Sequence, residues 1–265
     1  VDVDAKMLGL VKPISVGING DAKAATAELL VRLAGRELAC RANQADRSQR
    51  ITAEKSAWEQ ELGAWTHERD PFSLEIAQDS KFMHPRQMLR ELELAMPRDA
   101  MVATDIGNVC SVANSYLRFE QPRSLFAAMS FGNCGYAFPV ACGAKIASPD
   151  RPAIAYVGDG AWGISLNELL TCAREKIGVT VVVFNNGQWG AEKKNHVDFY
   201  SQRFNAVNLD SPSWAAVAQA FGCEGVTVDK LADVGPALQA AVQAQAAGKC
   251  TVLEMMLTQE LGDPF

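Results

Sequence analysis

The sequence predicts an α/β protein in which a parallel sheet is covered by helices on both faces. Apolar runs of strand length, such as AIAYV at 153–157 and VTVVVF at 179–184, alternate with amphipathic segments of helix length. These runs are apolar at consecutive positions, as expected of strands buried on both faces. Because parallel strands need long crossover connections, the alternation favours a parallel sheet over an antiparallel one.

The region before this alternation differs in composition. Residues 1–35 suggest strands at VDVD and PISVGI, a turn at NGDAK and a helix at AATAELLVRLAG. Residues 36–80 are polar and charged, with Trp58 and Trp65 at helical spacing, which indicates a linker that contains a helix. The main domain is therefore predicted to span 81–265.

Within 81–265 the helices and strands follow one another regularly. HPRQMLRELELAM places Met88, Leu89, Leu92 and Met96 on one helical face. A strand follows at MVAT (101–104), and a glycine-rich loop opens a helix within 130–147. Between the strands AIAYV and VTVVVF lies a helix with the inner stripe Ile164, Leu166, Leu169, Leu170 and Ala173. The remaining elements are the helix SWAAVAQAFG, the strand GVTV, the helix DVGPALQAAVQAQAAG and the strand TVLEMML.

Composition excludes several classes of function. A net charge of −6 and a pI of about 5.2 argue against a nucleic-acid partner. The longest apolar runs are too short to cross a membrane, and the N-terminus lacks the basic and apolar parts of a signal peptide. Seven cysteines without a C-x-x-C pair indicate reduced thiols, and three scattered histidines do not suggest a zinc cluster. We therefore expect a cytoplasmic protein.

The string GDGAWG, residues 158–163, fits the G-x-G-x-x-G pattern of a dinucleotide-binding turn. Asp159 would place a carboxylate inside that anion site, which is repulsive. The acid expected about 20 residues further on is also missing, because Asn185-Asn186 ends the next strand. A nicotinamide or flavin nucleotide is therefore disfavoured.

A divalent cation would turn the repulsion at Asp159 into a bridge to a diphosphate. Asn186 can add a side-chain oxygen, and Gln188 a backbone carbonyl, as the loop turns at Gly187. The 24 residues between Gly160 and Asn185 suffice for one helix and one strand, which sets both loops at the same sheet edge. The alternative is that GDG is only a tight turn and NN only the end of a strand.

The GDG and NN motifs at this spacing resemble the magnesium and diphosphate motif of thiamine-diphosphate-dependent enzymes. Further segments resemble the sulfoacetaldehyde acetyltransferase family among them: TDIGNVCSVANSYLRFEQPRSLFAAMSFGNCGYAFPVACGAK, GDGAWGISLNE, FNNGQWGAEKKN, VDFYSQRF and ELGDPF. The opening VDVDAKMLGLVKPISVGINGDAKAA is similar to the end of that family's central domain. The resemblance covers the C-terminal part of the family's protein, so it implies that 1–35 is the remnant of a central domain and 81–265 the diphosphate-binding domain.

The resemblance also implies roles for individual residues. Magnesium would be held by Asp159, Asn186 and the carbonyl of Gln188. The diphosphate would be contacted by Gly158, Gly160, Ala161 and Trp162, and from a second loop by Gly107 and Asn108. Asn108 would equally suit a helix N-cap. Gly132 and Cys134 would support the cofactor rings, where many relatives have a bulkier residue at the position of Cys134.

The activating glutamate of these enzymes belongs to a pyrimidine-binding domain that this sequence does not include. A homo-oligomer, or a partner that carries this domain, is therefore implied. The anionic substrates need cationic partners, for which the candidates are Lys193, Lys194, His196 and Arg203, although a run such as EKKNH is more often a solvated surface. Glu192 is a candidate to line the mouth of the cofactor site, and the candidate catalytic residues are Glu192, Lys193 and His196.

The implied reaction converts sulfoacetaldehyde and phosphate to acetyl phosphate and sulfite, with thiamine diphosphate and Mg²⁺ as cofactors. Two alternatives stay open at this point. One is another carboligase or 2-oxoacid decarboxylase, such as an acetolactate synthase, and the other is a fragment that binds the cofactor but is inert alone.

Overall fold

The computed structural model describes residues 1–36, 44–68 and 82–259. The chain divides into two compact units, Val1–Gln60 and Glu61–Phe265. The domain boundaries predicted from the sequence stay predictions, and residue Cys40 and the ending ELGDPF from 260 onward lie outside the described residues.

The first unit is helical rather than mixed. It contains a 3₁₀ turn at Ala5–Met7, helix α1 (Ala22–Leu33) and most of helix α2 (Gln44–Glu68). The strands predicted at VDVD and PISVGI do not form, since only a single bridge joins Asp2 and Asn19. Their apolar side chains are exposed, as at Val3 (75%) and Val16 (78%), so no buried face stabilises a strand pair there.

The second unit is an α/β layer structure, as predicted. Its strands are β1 (Met101–Thr104), β2 (Leu125–Ala127), β3 (Ala153–Gly158), β4 (Thr180–Asn185), β5 (Glu224–Val228) and β6 (Thr251–Met256). Its helices are α3 (Pro85–Ala95), α4 (Asn108–Tyr116), α5 (Ala137–Ala147), α6 (Asp159–Ser165), α7 (Leu169–Glu175), α8 (Gly190–Phe199), α9 (Trp214–Ala220) and α10 (Leu231–Ala244). Within the described residues the strands form one parallel sheet in the order β2-β1-β3-β4-β6-β5.

Alternate residues of the central strands fill two cores, one on each face of the sheet. In β3, Ile154 and Tyr156 pack with α3, α4 and α10, whereas Ala155 and Val157 pack with α5 and Trp162. The predicted face of α3 is confirmed, since Met88, Leu89 and Leu92 are buried. This two-sided burial explains why the strands are apolar throughout.

One helical stripe was predicted wrongly. Ile164 and Leu170 are each 57% exposed, although the 3.6-residue pattern placed both on the inner face. A 3₁₀ turn at Leu166–Glu168 separates α6 from α7, so one helical period does not run through the segment.

No helix among the described residues combines the length and the apolar character needed to cross a membrane. The six cysteines in those residues are free thiols.

Candidate functional site

Loops from three neighbouring strands meet at the carboxyl edge of the sheet and surround a cavity of about 330 Å³. The three loops follow β1, β3 and β4. Gly158 at the end of β3 pairs with Phe184 near the end of β4, so the loops after these two strands begin side by side. The cavity brings together most of the residues predicted from the sequence. Those that line it are Gly107, Asn108, Gly132, Cys134, Gly158, Gly160, Ala161, Asn186, Gln188 and Glu192.

Asp159 is only 2% exposed and is not itself a lining residue, although its neighbours Gly158 and Gly160 line the cavity. Its Oδ1 accepts a hydrogen bond from Gly160 N at 3.0 Å, and its Oδ2 accepts one from Gly187 N at 2.8 Å. Burial raises the pKa of Asp159 to about 6, and the backbone N–H donors only partly offset this. Within the described residues, the hydrogen-bond partners of the Asp159 carboxylate are backbone N–H groups rather than a Lys or Arg side chain. A bound cation would therefore offset the remaining free-energy cost of burying this carboxylate.

The peptide group of Gln188 faces Asp159. Gln188 forms an antiparallel bridge with Asn208, flanked by hydrogen bonds from Leu209 N to Gly187 O and from Trp189 N to Val207 O, each 2.8 Å long. In such a pair, the N–H and C=O of the central residue point away from the partner segment. The Gln188 N–H is accordingly directed towards the Asp159 carboxylate, whose pKa it helps to lower, and the carbonyl is on the same side.

The two asparagines at the end of β4 have different surroundings. Asn186 lines the cavity, whereas Asn185 Nδ2 donates to Glu254 Oε1 at 2.9 Å. A Cβ placed on Gly190 would lie 3.4 Å from Asn108 Nδ2 and 3.7 Å from Asn186 Nδ2, so both cavity amides converge on this glycine. Only the second asparagine is therefore positioned to face a ligand.

The donor set suits a hard cation. In the part of the chain that the structure describes, no cluster of three or more His, Cys, Asp or Glu side chains is placed to hold a metal. A carboxylate, an amide oxygen and a backbone carbonyl are instead available, and Mg²⁺ prefers oxygen ligands of this kind.

Glycines allow the backbone to approach the cavity closely. Gly107 has φ of 107° and ψ of −163°, a conformation that favours glycine, and it is the N-cap residue of α4 in place of the predicted Asn108. At Gly160, an added Cβ would lie 2.8 Å from the indole of Trp189, which covers the first turn of α6. The starts of α4 and α6 therefore border the same cavity.

The loop that contains Gly132 and Cys134 is held by Asp105, a residue that the sequence analysis did not select. Asp105 is fully buried, and its carboxylate accepts from Gly135 N at 3.0 Å and Ala137 N at 3.1 Å. Burial raises the pKa of Asp105. Burial, together with the charges of Asp105 and Glu192, also raises the pKa of the Cys134 thiol, which therefore stays protonated.

The candidate catalytic residues are separated by the fold. Glu192 lines the cavity, but Lys193 and His196 are not among its lining residues. The amine of Lys193 bonds polar side chains behind the loop, and the ring of His196 packs near Tyr200. The side chain of Trp162 is buried against Phe138, with ring centroids 5.2 Å apart.

Residues 105–255 match the family described as thiamine pyrophosphate enzyme, C-terminal TPP binding domain, where TPP is thiamine diphosphate. The chain belongs to the thiamine pyrophosphate enzymes. The matched range begins at Asp105 and includes the loops after β1, β3 and β4, so the family assignment and these three loops concern the same part of the molecule.

Several relatives of this family match the whole chain. A sulfoacetaldehyde acetyltransferase of Castellaniella defragrans is 63% identical over all of this chain and 45% of its own length. One of Alcaligenes xylosoxydans xylosoxydans is 59% identical, over all of this chain and 46% of its own length. An acetolactate synthase of Mycobacterium bovis is 30% identical over 95% of this chain and 39% of its own length. The chain thus spans less than half the length of the curated relatives that it matches.

The solved structure of benzoylformate decarboxylase from Polynucleobacter necessarius shares the fold. It matches with a TM-score of 0.63 and 22% identity, over 69% of this chain and 34% of that chain.

One cavity residue gave no signal in the sequence pattern. Among the described residues that line the cavity, Arg86 is the one with a basic side chain. It lies in the first turn of α3, far along the chain from the glycine motifs, so only the folded structure brings it to the site of a thiamine pyrophosphate enzyme.

Proposed function

We propose that the chain forms the magnesium and diphosphate part of an enzyme that converts sulfoacetaldehyde and phosphate to acetyl phosphate and sulfite. The observation that carries this proposal is the convergence of Asp159, Asn186 and the Gln188 peptide group beside one glycine-lined cavity. The chain is 63% and 59% identical to two sulfoacetaldehyde acetyltransferases but 30% identical to an acetolactate synthase. These identities support sulfoacetaldehyde as the substrate over the substrate of the acetolactate synthases.

In this proposal the oxygens of Asp159, Asn186 and Gln188 hold Mg²⁺. Backbone N–H groups from Gly107 onward and from Gly158, Ala161 and Trp162 orient the diphosphate, and Gly160 allows it to approach the backbone closely. Gly132 and Cys134 support the rings of the cofactor, with their loop fixed by Asp105. Thiamine diphosphate, when bound, supplies the electron sink that the cleavage of a carbon–sulfur bond needs.

Both proposed substrates are anions, so the cavity needs positive charge. Lys193 and Lys194 are not among the residues that line it. Arg86 is in the cavity wall, and its guanidinium suits phosphate and sulfonate oxygens. We therefore assign the attraction of these anions to Arg86, with Glu192 as the acidic side chain at the opening.

The site is proposed to be completed by a pyrimidine-binding domain, supplied by another copy or by a partner. Phe131, which immediately precedes the cavity residue Gly132, is 90% exposed, and Met129 is 69% exposed. Large apolar side chains at this exposure are typical of a surface that another domain covers. The free thiols fit the reducing conditions of the cytoplasm.

Magnesium-dependent binding of thiamine diphosphate, measured by calorimetry, tests the metal assignment. Asp159→Asn and Asn186→Ala each remove an oxygen ligand or its charge. Each is expected to weaken this binding by more than about 100-fold, beyond the loss caused by changing outer partners of a metal site. Asn195→Ala is the matched control, since Asn195 is exposed on α8 and its side chain donates to Glu192 Oε2 at 3.4 Å.

Unchanged affinity in the Asp159 and Asn186 variants would contradict the metal site. The reaction is tested separately by its products. Sulfite and acetyl phosphate support the proposed activity, whereas carbon dioxide and a 2-hydroxyketone would point to the carboligase alternative. Binding without turnover, even with a pyrimidine-binding partner present, would point to an inert fragment.

A further inference from the structure

The ammonium group of Lys193 links three separate segments of the chain. Nζ donates to Gln188 Oε1 at 2.9 Å, to Asn208 Oδ1 at 3.0 Å and to Gln259 Oε1 at 3.5 Å. An ammonium group has three N–H donors, so these neutral oxygens account for all of them. Lys193 therefore acts on the loop after β4, on the segment that follows α8 and on the chain beyond β6.

Gln188 is the residue through which Lys193 reaches the proposed metal site. Its side chain is fixed at both ends of the amide, since Nε2 also donates to Gln259 O at 3.1 Å. Gln188 is 3% exposed, and its N–H and carbonyl point away from Asn208, on the side of Asp159. A shift of the side chain would therefore move the carbonyl that is proposed to bind Mg²⁺.

We propose that Lys193 is a positioning residue that fixes the backbone carbonyl of Gln188 and thereby determines which divalent cation the site accepts. The inference rests on the proposed function, since it presupposes a metal at Asp159, Asn186 and Gln188. Mg²⁺ demands near-ideal octahedral geometry at about 2.0–2.1 Å, whereas Ca²⁺ accepts irregular geometry at about 2.3–2.6 Å. A displaced carbonyl is therefore expected to weaken Mg²⁺ binding more than Ca²⁺ binding.

The surroundings of Lys193 favour a fixed side chain over a mobile one. Its Nζ lies 5.5 Å from the centroid of the Phe204 ring, which adds a cation–π contact. Burial lowers the pKa of Lys193, so the hydrogen bonds to the three side-chain oxygens stabilise a charge that is partly removed from water.

The test compares Lys193→Met with Lys194→Met in the full chain. Thiamine diphosphate binding is measured by calorimetry at varied Mg²⁺ and, separately, at varied Ca²⁺. Lys193→Met is expected to raise the dissociation constant for Mg²⁺ about tenfold, the lower end for an outer partner of a metal ligand, and that for Ca²⁺ by less than about threefold. Lys194→Met removes a neighbouring amine, which bonds the Asp198 carboxylate. This substitution is expected to change neither the Mg²⁺ nor the Ca²⁺ dissociation constant.

Lys193→Arg provides a second variant that keeps the charge. A planar guanidinium does not reproduce the three diverging bonds of an ammonium group, so the Mg²⁺-to-Ca²⁺ ratio should shift in the same direction by a smaller factor. The change in this ratio separates positioning from a loss of stability, because partial unfolding weakens the binding of both metals equally.

Equal weakening of both cations, no change in either, or the same shift in Lys194→Met would each overturn the role of Lys193. Binding that is independent of metal in the unsubstituted protein, or unaffected by Asp159→Asn, would instead overturn the proposed metal site, and this inference with it. The two failures are therefore distinguished by which variant shows them.

Discussion

At the scale of single residues, Gly160 shows how the motif is required by packing as well as by a ligand. An added methyl group would lie 2.8 Å from the Trp189 indole, far inside van der Waals contact. A methyl group added to Gly163, on the same helix, would lie 4.0 Å from the Trp214 ring. The two glycines of GDGAWG therefore differ in what surrounds them, although they look alike in the sequence.

Gly160→Ala is expected to destabilise the fold by about 1–3 kcal/mol through overpacking and to change the fluorescence of Trp189. Gly163→Ala is the control, and it should stabilise α6 by up to about 1 kcal/mol because alanine favours helices. Urea unfolding measured by circular dichroism gives both values. Equal effects of the two substitutions would show that the indole does not occupy the position seen in the structure.

At the scale of secondary-structure elements, Glu254 connects the loop after β4 to the start of α9. It is 2% exposed in the centre of β6, where an apolar residue would be expected. Five groups donate to its carboxylate: Asn185 Nδ2, Ser213 Oγ, Trp214 N, Ala215 N and Thr227 Oγ1. Burial raises the pKa of Glu254, but these donors outweigh burial and hold the pKa below its ordinary value.

Glu254→Gln replaces an acceptor oxygen with an NH₂ group among donors, and we expect it to cost about 2–4 kcal/mol. Because the folded pKa is lowered, this stabilisation is complete above the unfolded pKa of about 4.3 and is lost as the pH falls through the folded pKa. The difference in melting temperature between wild type and variant should therefore be largest near neutral pH and shrink below about pH 4.

The control for this prediction is Glu224→Gln on the neighbouring strand β5. Glu224 pairs with Lys249 at 2.6 Å, but its side chain is 42% exposed, so its loss should cost less than about 1 kcal/mol. A similar loss in both variants, or a difference independent of pH, would contradict the role assigned to Glu254.

The same elements show what could be predicted from the sequence. The strand MVAT was predicted residue for residue, because both faces of β1 are buried and a short, nearly continuous apolar run indicates such a strand. The strand β2 was missed, since its three residues at the sheet edge are partly exposed. The loops of GDG and NN were predicted to be adjacent because one crossover joins them. Asp105, Glu254 and Lys193, in contrast, act on groups as far as 69 positions away that have no pattern of their own.

At the scale of the whole molecule, one edge of the sheet carries the cavity and an exposed apolar surface at Met129 and Phe131. Both faces of the sheet are already covered by helices, so this surface is not needed to complete the core of the second unit. An apolar side chain that remains 90% exposed beside a cofactor site is expected to pack against another domain or copy.

Phe131→Asp is therefore expected to disrupt assembly while the chain itself stays folded. A charge at the centre of an apolar interface should raise the dissociation constant of the assembly by about 100-fold or more, as hot-spot substitutions do. The unfolding free energy of the isolated chain should change by less than about 0.5 kcal/mol, because the side chain is exposed there. Sedimentation velocity over a range of concentrations measures the first effect, and urea unfolding measures the second.

Ile146→Asp is the matched control for Phe131→Asp. Ile146 is 65% exposed near the end of α5, a helix that starts at the cavity edge and runs to the opposite edge of the sheet. The same charge placed there should leave both assembly and cofactor binding unchanged. Assembly that withstands Phe131→Asp, or that fails equally in Ile146→Asp, would show that the surface at Met129 and Phe131 is not the one that the pyrimidine-binding domain covers.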